Sequence, residues 1–133
     1  MPTRVIELPN IRWYGPRITI GNIDDERKLY VQSGREPTSQ RPRRIWGFKI
    51  AYSSEEVVFD EPDASRIASE IATALIYIAE ERLPPFISTP VQGHPEIRVE
   101  PLGDSGVQIS NGDRGILIPC ALVRSLGQVL ENL

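Results

Sequence analysis

The stretch EVVFDEPDASRIASEIATAL, from Glu56 to Leu75, decides the fold because it changes from a strand pattern to a helix pattern. Strand-favouring apolar residues end at Phe59, and acidic residues with Pro62 then supply the first turn of a helix, where carboxylates face the positive end of the helix dipole. We therefore predict a strand followed directly by a helix that runs to about Arg82. The apolar residues of this helix recur at helical spacing and are Ala64, Ile67, Ala68, Ile71, Leu75, Ile78 and Ala79.

A second stretch, RGILIPCALVRSLGQVL from Arg114 to Leu130, follows the same scheme. A short apolar strand leads into a helix whose apolar residues again lie at helical spacing. The two stretches share no run of identical residues. The chain is therefore either a repeat of two units or an ordinary α+β chain with two similar junctions.

Short runs with strand character precede both helices, and turn residues bound each of them. In the first half these runs are Ile11–Tyr14, Arg17–Gly21, Lys28–Gln32, Arg44–Tyr52 and Glu56–Phe59. In the last third they are Glu96–Pro101, Gly106–Ser110 and Arg114–Pro119. Asn111-Gly112 between the last two runs is a strong signal for a tight hairpin.

The predicted fold class is α+β. An antiparallel β-meander is followed by a long helix, then by a smaller three-strand meander and a C-terminal helix, all sharing one core. A chain of 133 residues has the usual size of one domain. We expect a single domain over 1–133, with unit one at 1–83, a proline-rich strap at 84–95 and unit two at 96–133.

Charge is distributed unevenly along the chain. The net charge is −3, but residues 1–50 hold ten Lys and Arg against five Asp and Glu, and residues 51–133 hold five against thirteen. Such asymmetry concerns partners rather than fold. Either the basic part contacts a polyanion, or the basic and acidic parts of two copies contact each other.

The composition also indicates in which cellular compartment the protein is found. The longest strongly apolar run, Ala72–Ala79, is far shorter than the roughly 20 residues of a membrane span. Cys120 is the single cysteine, so it forms no internal disulfide and no thiolate metal cage. We expect a cytoplasmic protein that does not contact a membrane.

The most suggestive candidate site is RPRRIWGFKIAY, from Arg41 to Tyr52, together with the loop before it. Because side chains alternate along a strand, Trp46, Phe48 and Ile50 share one face. Rings on a sheet beside cations are typical of single-stranded nucleic-acid binders. Alternatively, these apolar side chains face the long helix and form the core. The candidate partner-binding residues are Arg35, Arg41, Arg43, Arg44, Trp46 and Lys49.

The sequence contains little that indicates catalysis. His94 is the only histidine and is expected to be exposed, and Cys120 is expected to be a small buried apolar residue. Proximity to a helix N-terminus explains the acids around Asp63 without any chemistry. We predict no catalytic residue, no metal and no cofactor, although a carboxylate site assembled from distant strands would leave no sequence signal.

The leading functional hypothesis is a non-catalytic binding or regulatory protein that acts through protein–protein contacts as a homodimer. It rests on the charge asymmetry and on the segment Ile71–Ile78, which is too apolar to be covered by one sheet alone. The alternative is a single-stranded nucleic-acid-binding protein that uses the Arg35–Arg44 loop and the Trp46/Phe48 strand. A small-molecule site between helix and sheet is a third hypothesis.

Overall fold

A computed structural model describes residues 17–22, 28–34, 45, 47–61, 63–81 and 89–133. Within these ranges the chain forms two four-stranded antiparallel sheets, each followed by a helix, and the two helices pack together. This confirms the predicted α+β class. The first sheet contains β1 (Ile18–Asn22), β2 (Lys28–Gly34), β3 (Gly47–Tyr52) and β4 (Glu55–Phe59), and α1 (Ala64–Ala79) follows it. The second contains β5 (Thr89–Val91), β6 (His94–Pro101), β7 (Val107–Asn111) and β8 (Arg114–Ile118), and α2 (Cys120–Glu131) follows it.

The predicted hairpins are present where turn residues interrupt the strand pattern. Ser53-Ser54 connects β3 to β4, and Gly112-Asp113 connects β7 to β8. Gly112 has a φ of 66°, a conformation that glycine adopts without steric cost. The predicted run Ile11–Tyr14 lies outside the described residues.

The second sheet contains one strand more than the three that were predicted. Its first strand, β5, lies inside the segment that was expected to be a strap, and β6 begins two residues earlier than the predicted run. Pro90 is the middle residue of β5 and has no backbone N–H to donate. Such a residue is tolerated because β5 is an edge strand of its sheet.

The long helix begins as predicted, directly after the acidic turn, but it ends at Ala79. Glu81 adopts a φ of 59°, in the left-handed region that commonly terminates helices. The helix is therefore shorter than predicted, and Arg82 itself lies outside the described residues.

The second contact surface of α1, which its apolar later turns predicted, is supplied by α2 of the same chain. Gly127 of α2 lies at the crossing point. A Cβ atom placed there would come 3.3 Å from the Ala72 carbonyl oxygen and 2.9 Å from Cγ1 of Ile76. The missing side chain therefore lets the two helices approach closely.

Both helices reach beyond the sheet that precedes them. α1 contacts β3 of the first sheet and also β5 and β6 of the second, and α2 contacts β1 of the first sheet. At the junction between the sheets, β4 contacts β8, and Asn111 Nδ2 donates a 2.9 Å hydrogen bond to the Val58 carbonyl oxygen. One apolar cluster accordingly includes residues of both sheets and both helices.

None of the helices in the described ranges has the length and apolar character needed to cross a membrane.

Candidate functional site

One of the six predicted partner-binding residues lies within the described ranges. Arg35, Arg41, Arg43, Arg44 and Trp46 lie outside the described residues, and their role stays a prediction. Lys49, the sixth, lies half-buried on β3, and its Nζ is 3.9 Å from Oε2 of Glu56 on β4.

Phe48 lies in the core, as the alternative interpretation of this strand expected. Its side chain is fully buried, like those of Ile50 and Val57 beside it. The Phe48 ring stacks on Phe59, with centroids 4.7 Å apart and an angle of 18° between the planes. Phe48 is therefore not accessible to a nucleic-acid base, because the helix layer covers this face of the sheet.

The opposite face of both sheets forms a candidate surface, and we call it the open sheet face. Strand register and burial place its side chains opposite those of the core, and no helix of the described ranges covers it. Leu117 on β8 is 44% exposed, so this face carries a large apolar side chain in contact with solvent. Residues that define the open sheet face are Thr19, Tyr30, Lys49, Arg98, Glu100 and Leu117.

The first-sheet part of the open sheet face carries positive charge. The guanidinium of Arg17 lies over the Tyr30 ring, 4.6 Å from its centroid, in a cation–π arrangement. Lys28, two residues before Tyr30 on β2, is exposed. These cations lie on the half of the chain that carries the basic excess.

A groove of about 630 Å³ lies beside these cations, between the β3–β4 turn and the β7–β8 turn. Tyr30 and Ala51 line it from the first sheet. The carboxylates of Glu55, Glu56 and Asp113 also line the groove, with Arg114 as its cation. Positive and negative side chains thus lie next to each other on one exposed surface.

A second polar cluster joins the start of α1 to the β5–β6 turn, and we call Asp63, Arg66, His94 and Glu96 the His94 cluster. His94 Nε2 is 3.0 Å from Oδ2 of Asp63, and His94 Nδ1 is 3.5 Å from Oε1 of Glu96. Arg66 donates to Oδ2 of Asp63 at 2.6 Å. The His94 side chain is only 17% exposed, so the expectation that it is exposed was wrong.

The carboxylate partners determine the protonation of the His94 cluster. The hydrogen bond to Asp63 raises the pKa of His94 above its ordinary value, although partial burial opposes this effect. The same hydrogen bond, with a further one from Arg66, lowers the pKa of Asp63. With both ring nitrogens facing carboxylates, protonated His94 has no free lone pair for a metal or for general base catalysis.

Sequence patterns gave no indication of this cluster, because Asp63 and His94 are 31 positions apart. Asp63 was interpreted as a helix-start residue, and it does occupy that position, but its carboxylate makes no capping hydrogen bond to the helix backbone. It binds Arg66 and His94 instead. In the part of the chain that the structure describes, no three His, Cys, Asp or Glu residues are grouped so as to hold a metal ion.

Cys120 differs from the expected small buried residue. It is the first residue of α2 and is exposed, with Sγ 3.5 Å from the carbonyl oxygen of Gly103. A groove of about 690 Å³ lies against it, between the end of α1 and the start of α2. The core side chains of α2 are Val123, Leu126 and Leu130, and Cys120 is not among them.

Comparison with known proteins assigns no family to the chain. No family model, no curated protein and no solved structure matches it. The surfaces described above are therefore the basis for a functional proposal.

Proposed function

We propose that the protein is a non-catalytic binding protein that acts through protein–protein contacts, with a second copy of itself as the partner and the open sheet face as the contact surface. The main observation behind the proposal is that, in the described residues, helices cover only one face of the two sheets. Both helices lie on one face of the sheets, and the opposite face bears the exposed Leu117.

We place the contact surface on the sheets rather than on α1, because α2 already covers the apolar turns of α1. The apolar later turns of α1 suggested a dimer through this helix, but α2 packs on them within the same chain. The open sheet face is a better candidate, since it combines an exposed apolar side chain with polar and charged neighbours. Such a mixed surface is typical of interfaces between proteins that are also stable alone.

The charges support a second copy as the partner. In a two-fold symmetric dimer, a patch on one copy contacts a complementary patch on the other, and the reverse contact is made at the same time. The cations Arg17 and Lys28 and the carboxylates Glu55, Glu56 and Asp113 lie on the same side of the molecule. Each copy therefore offers both halves of a self-complementary electrostatic contact.

Sedimentation velocity over a range of concentrations tests the proposal with two matched variants. Leu117→Arg places a charge on the open sheet face, and Tyr77→Arg places one on α1, where Tyr77 is 37% exposed. We expect the wild type and Tyr77→Arg to dimerise equally and Leu117→Arg to dimerise at least about tenfold more weakly, which corresponds to about 1.4 kcal/mol. Dimerisation should also weaken as salt concentration rises.

A strictly monomeric wild type, or equal weakening by both variants, would contradict the proposal.

Fluorescence titration with single-stranded oligonucleotides at low salt tests the nucleic-acid alternative on the same samples. Binding that is lost when Arg41, Arg43 and Arg44 are replaced by Ala would favour that alternative.

A further inference from the structure

We propose that the His94 cluster is a pH-dependent latch that holds the β5–β6 turn against the start of α1 in mildly acidic solution and loosens as the solution becomes alkaline. The His94 cluster contains none of the residues that define the open sheet face. The proposal therefore does not depend on whether the protein forms a dimer.

The geometry shows two connections between segments that are distant in sequence. The first is the contact of 3.0 Å between His94 Nε2 and Asp63 Oδ2. In the second, Arg66 Nη2 donates to the Gln92 carbonyl oxygen at 2.9 Å while the same guanidinium binds Asp63. The start of α1 thus holds both the turn, at Gln92, and the first residue of β6, at His94.

The guanidinium lies directly over the turn. Gly93 adopts a φ of 83°, and a Cβ atom placed on it would lie 3.5 Å from Nη2 of Arg66. Glu70, one helical turn further along α1, binds Nη1 of the same guanidinium at 2.7 Å and fixes its orientation. Arg66 stays charged at all relevant pH values, so only the His94 half of the latch titrates.

Charged groups face His94 from each element that adjoins it. Asp63 lies at the start of α1, Glu61 precedes it in the acidic turn, and Glu96 lies on β6. The positive charge of Arg66 lies on the far side of Asp63. Three carboxylates against one guanidinium favour the protonated imidazole, which agrees with the raised pKa of His94.

Linkage fixes the direction of the pH effect. Because the pKa of His94 is raised in the folded protein, its contribution to stability is complete below the ordinary value of 6.5 and is lost as the pH rises through the raised value. The pKa of Asp63 is lowered, so its contribution is complete above 3.8 and is lost only as the pH falls through the lowered value. Both contributions are complete between these two ordinary values.

The segment released by the latch is short and lies at the edge of the described second sheet. β5 has three residues and, among the described strands, pairs only with β6, and Val91 is its one side chain shown to be buried. Such edge segments open locally at low free-energy cost. Loss of the His94 contact should therefore be seen first as local opening of β5 and the β5–β6 turn rather than as global unfolding.

The test combines an NMR titration of the imidazole with amide hydrogen exchange from pH 5 to pH 9. His94 is the only histidine, so its ring signals need no assignment. We expect His94 to titrate above 6.5, and the protection of the β5–β6 segment, corrected for intrinsic exchange rates, to fall several-fold over the same pH range. Asp63→Asn should lower the pKa of His94 and remove the pH dependence of protection.

Glu96→Gln is a second variant that leaves the start of α1 intact, and it should lower the pKa of His94 by a smaller amount. The control is Glu100→Gln, which changes the same strand on the open sheet face and should leave both measurements unchanged. A wild-type His94 that titrates at or below its ordinary value overturns the latch. Protection that does not follow the His94 titration also overturns it.

Discussion

At the scale of single residues, Gly127 lies where the two helices approach each other closely. It lies within α2, where glycine costs about 1 kcal/mol relative to alanine. A glycine is nevertheless favoured here, because a larger side chain would collide with Ala72, Leu75 and Ile76 of α1. The Ala72 carbonyl belongs to the helix backbone and cannot move aside as a flexible side chain would.

We predict that Gly127→Leu destabilises the protein by about 2 kcal/mol, because overpacking of up to about 3 kcal/mol exceeds the gain of about 1 kcal/mol in helix propensity. Urea denaturation followed by circular dichroism measures the change. The matched control is Gln128→Leu, which adds a similar side chain at the next, exposed position of the same helix. Equal stability of the two variants would show that the crossing is not closely packed.

Contacts between residues could be predicted from the sequence only where the residues are close neighbours along the chain. Asn111-Gly112 specifies a hairpin through the backbone preferences of adjacent residues, and the hairpin is present. The contact between His94 and Asp63 depends on how a turn of the second sheet meets the first helix, which no local pattern encodes. The burial of Phe48 could be foreseen as one of two alternatives, because alternation defines two faces but not which of them the helices cover.

At the scale of elements, Asn111 connects the two sheets at the place where β4 of the first contacts β8 of the second. Its amide donates to the Val58 carbonyl oxygen of β4 at a partly buried place. A carbonyl that loses such a partner away from water remains unsatisfied, at a cost of about 1 to 3 kcal/mol. Asn111 therefore contributes to the junction of the sheets as well as to its own hairpin.

We expect Asn111→Ala to lower the free energy of unfolding by about 1 to 2 kcal/mol, since it removes this hydrogen bond. Thermal and urea denaturation measure the loss. Ser110→Ala changes the preceding residue, on the open sheet face, and should stay within about 0.5 kcal/mol of the wild type. If the Asn111 variant is as stable as the Ser110 variant, the hydrogen bond does not hold the sheets together.

Elements with strong periodicity were predicted correctly, and the weakest element was missed. The start of α1 and four described strands of the first sheet agree with the apolar pattern. β5 was missed because Pro90 is a breaker in most strands and three residues are too few to show alternation. The predicted end of α1 lay too far along the chain, because no glycine marks the true end. Glu81 adopts the left-handed conformation there instead.

At the scale of the whole molecule, the helices connect the two sheets into one core. α1 reaches β5 and β6, and α2 reaches β1, so each helix contacts the sheet of the other unit. Neither unit has its complete set of apolar contacts without the other. The sequence predicted a shared core but could not predict this exchange of helix contacts, because the spacing of apolar residues defines a helix face and not the sheet that covers it.

We predict that the two units unfold in a single transition. The tryptophans, Trp13 and Trp46, both belong to the first unit, and a dye on the single exposed Cys120 reports on the second. Guanidinium denaturation followed by both signals should give the same midpoint and slope. Two separate midpoints would show that the units are independent in stability.

The reach of α2 to β1 also has a consequence for protein synthesis. During translation, β1 leaves the ribosome long before α2 does, and Ile20 on β1 belongs to an apolar cluster that also includes residues of α2. Part of the apolar surface of the nascent first sheet therefore stays exposed to solvent until α2 has also been made. The core should therefore close only once α2 has left the ribosome, and chaperones that bind exposed apolar strands should contact the first sheet of the nascent chain before then.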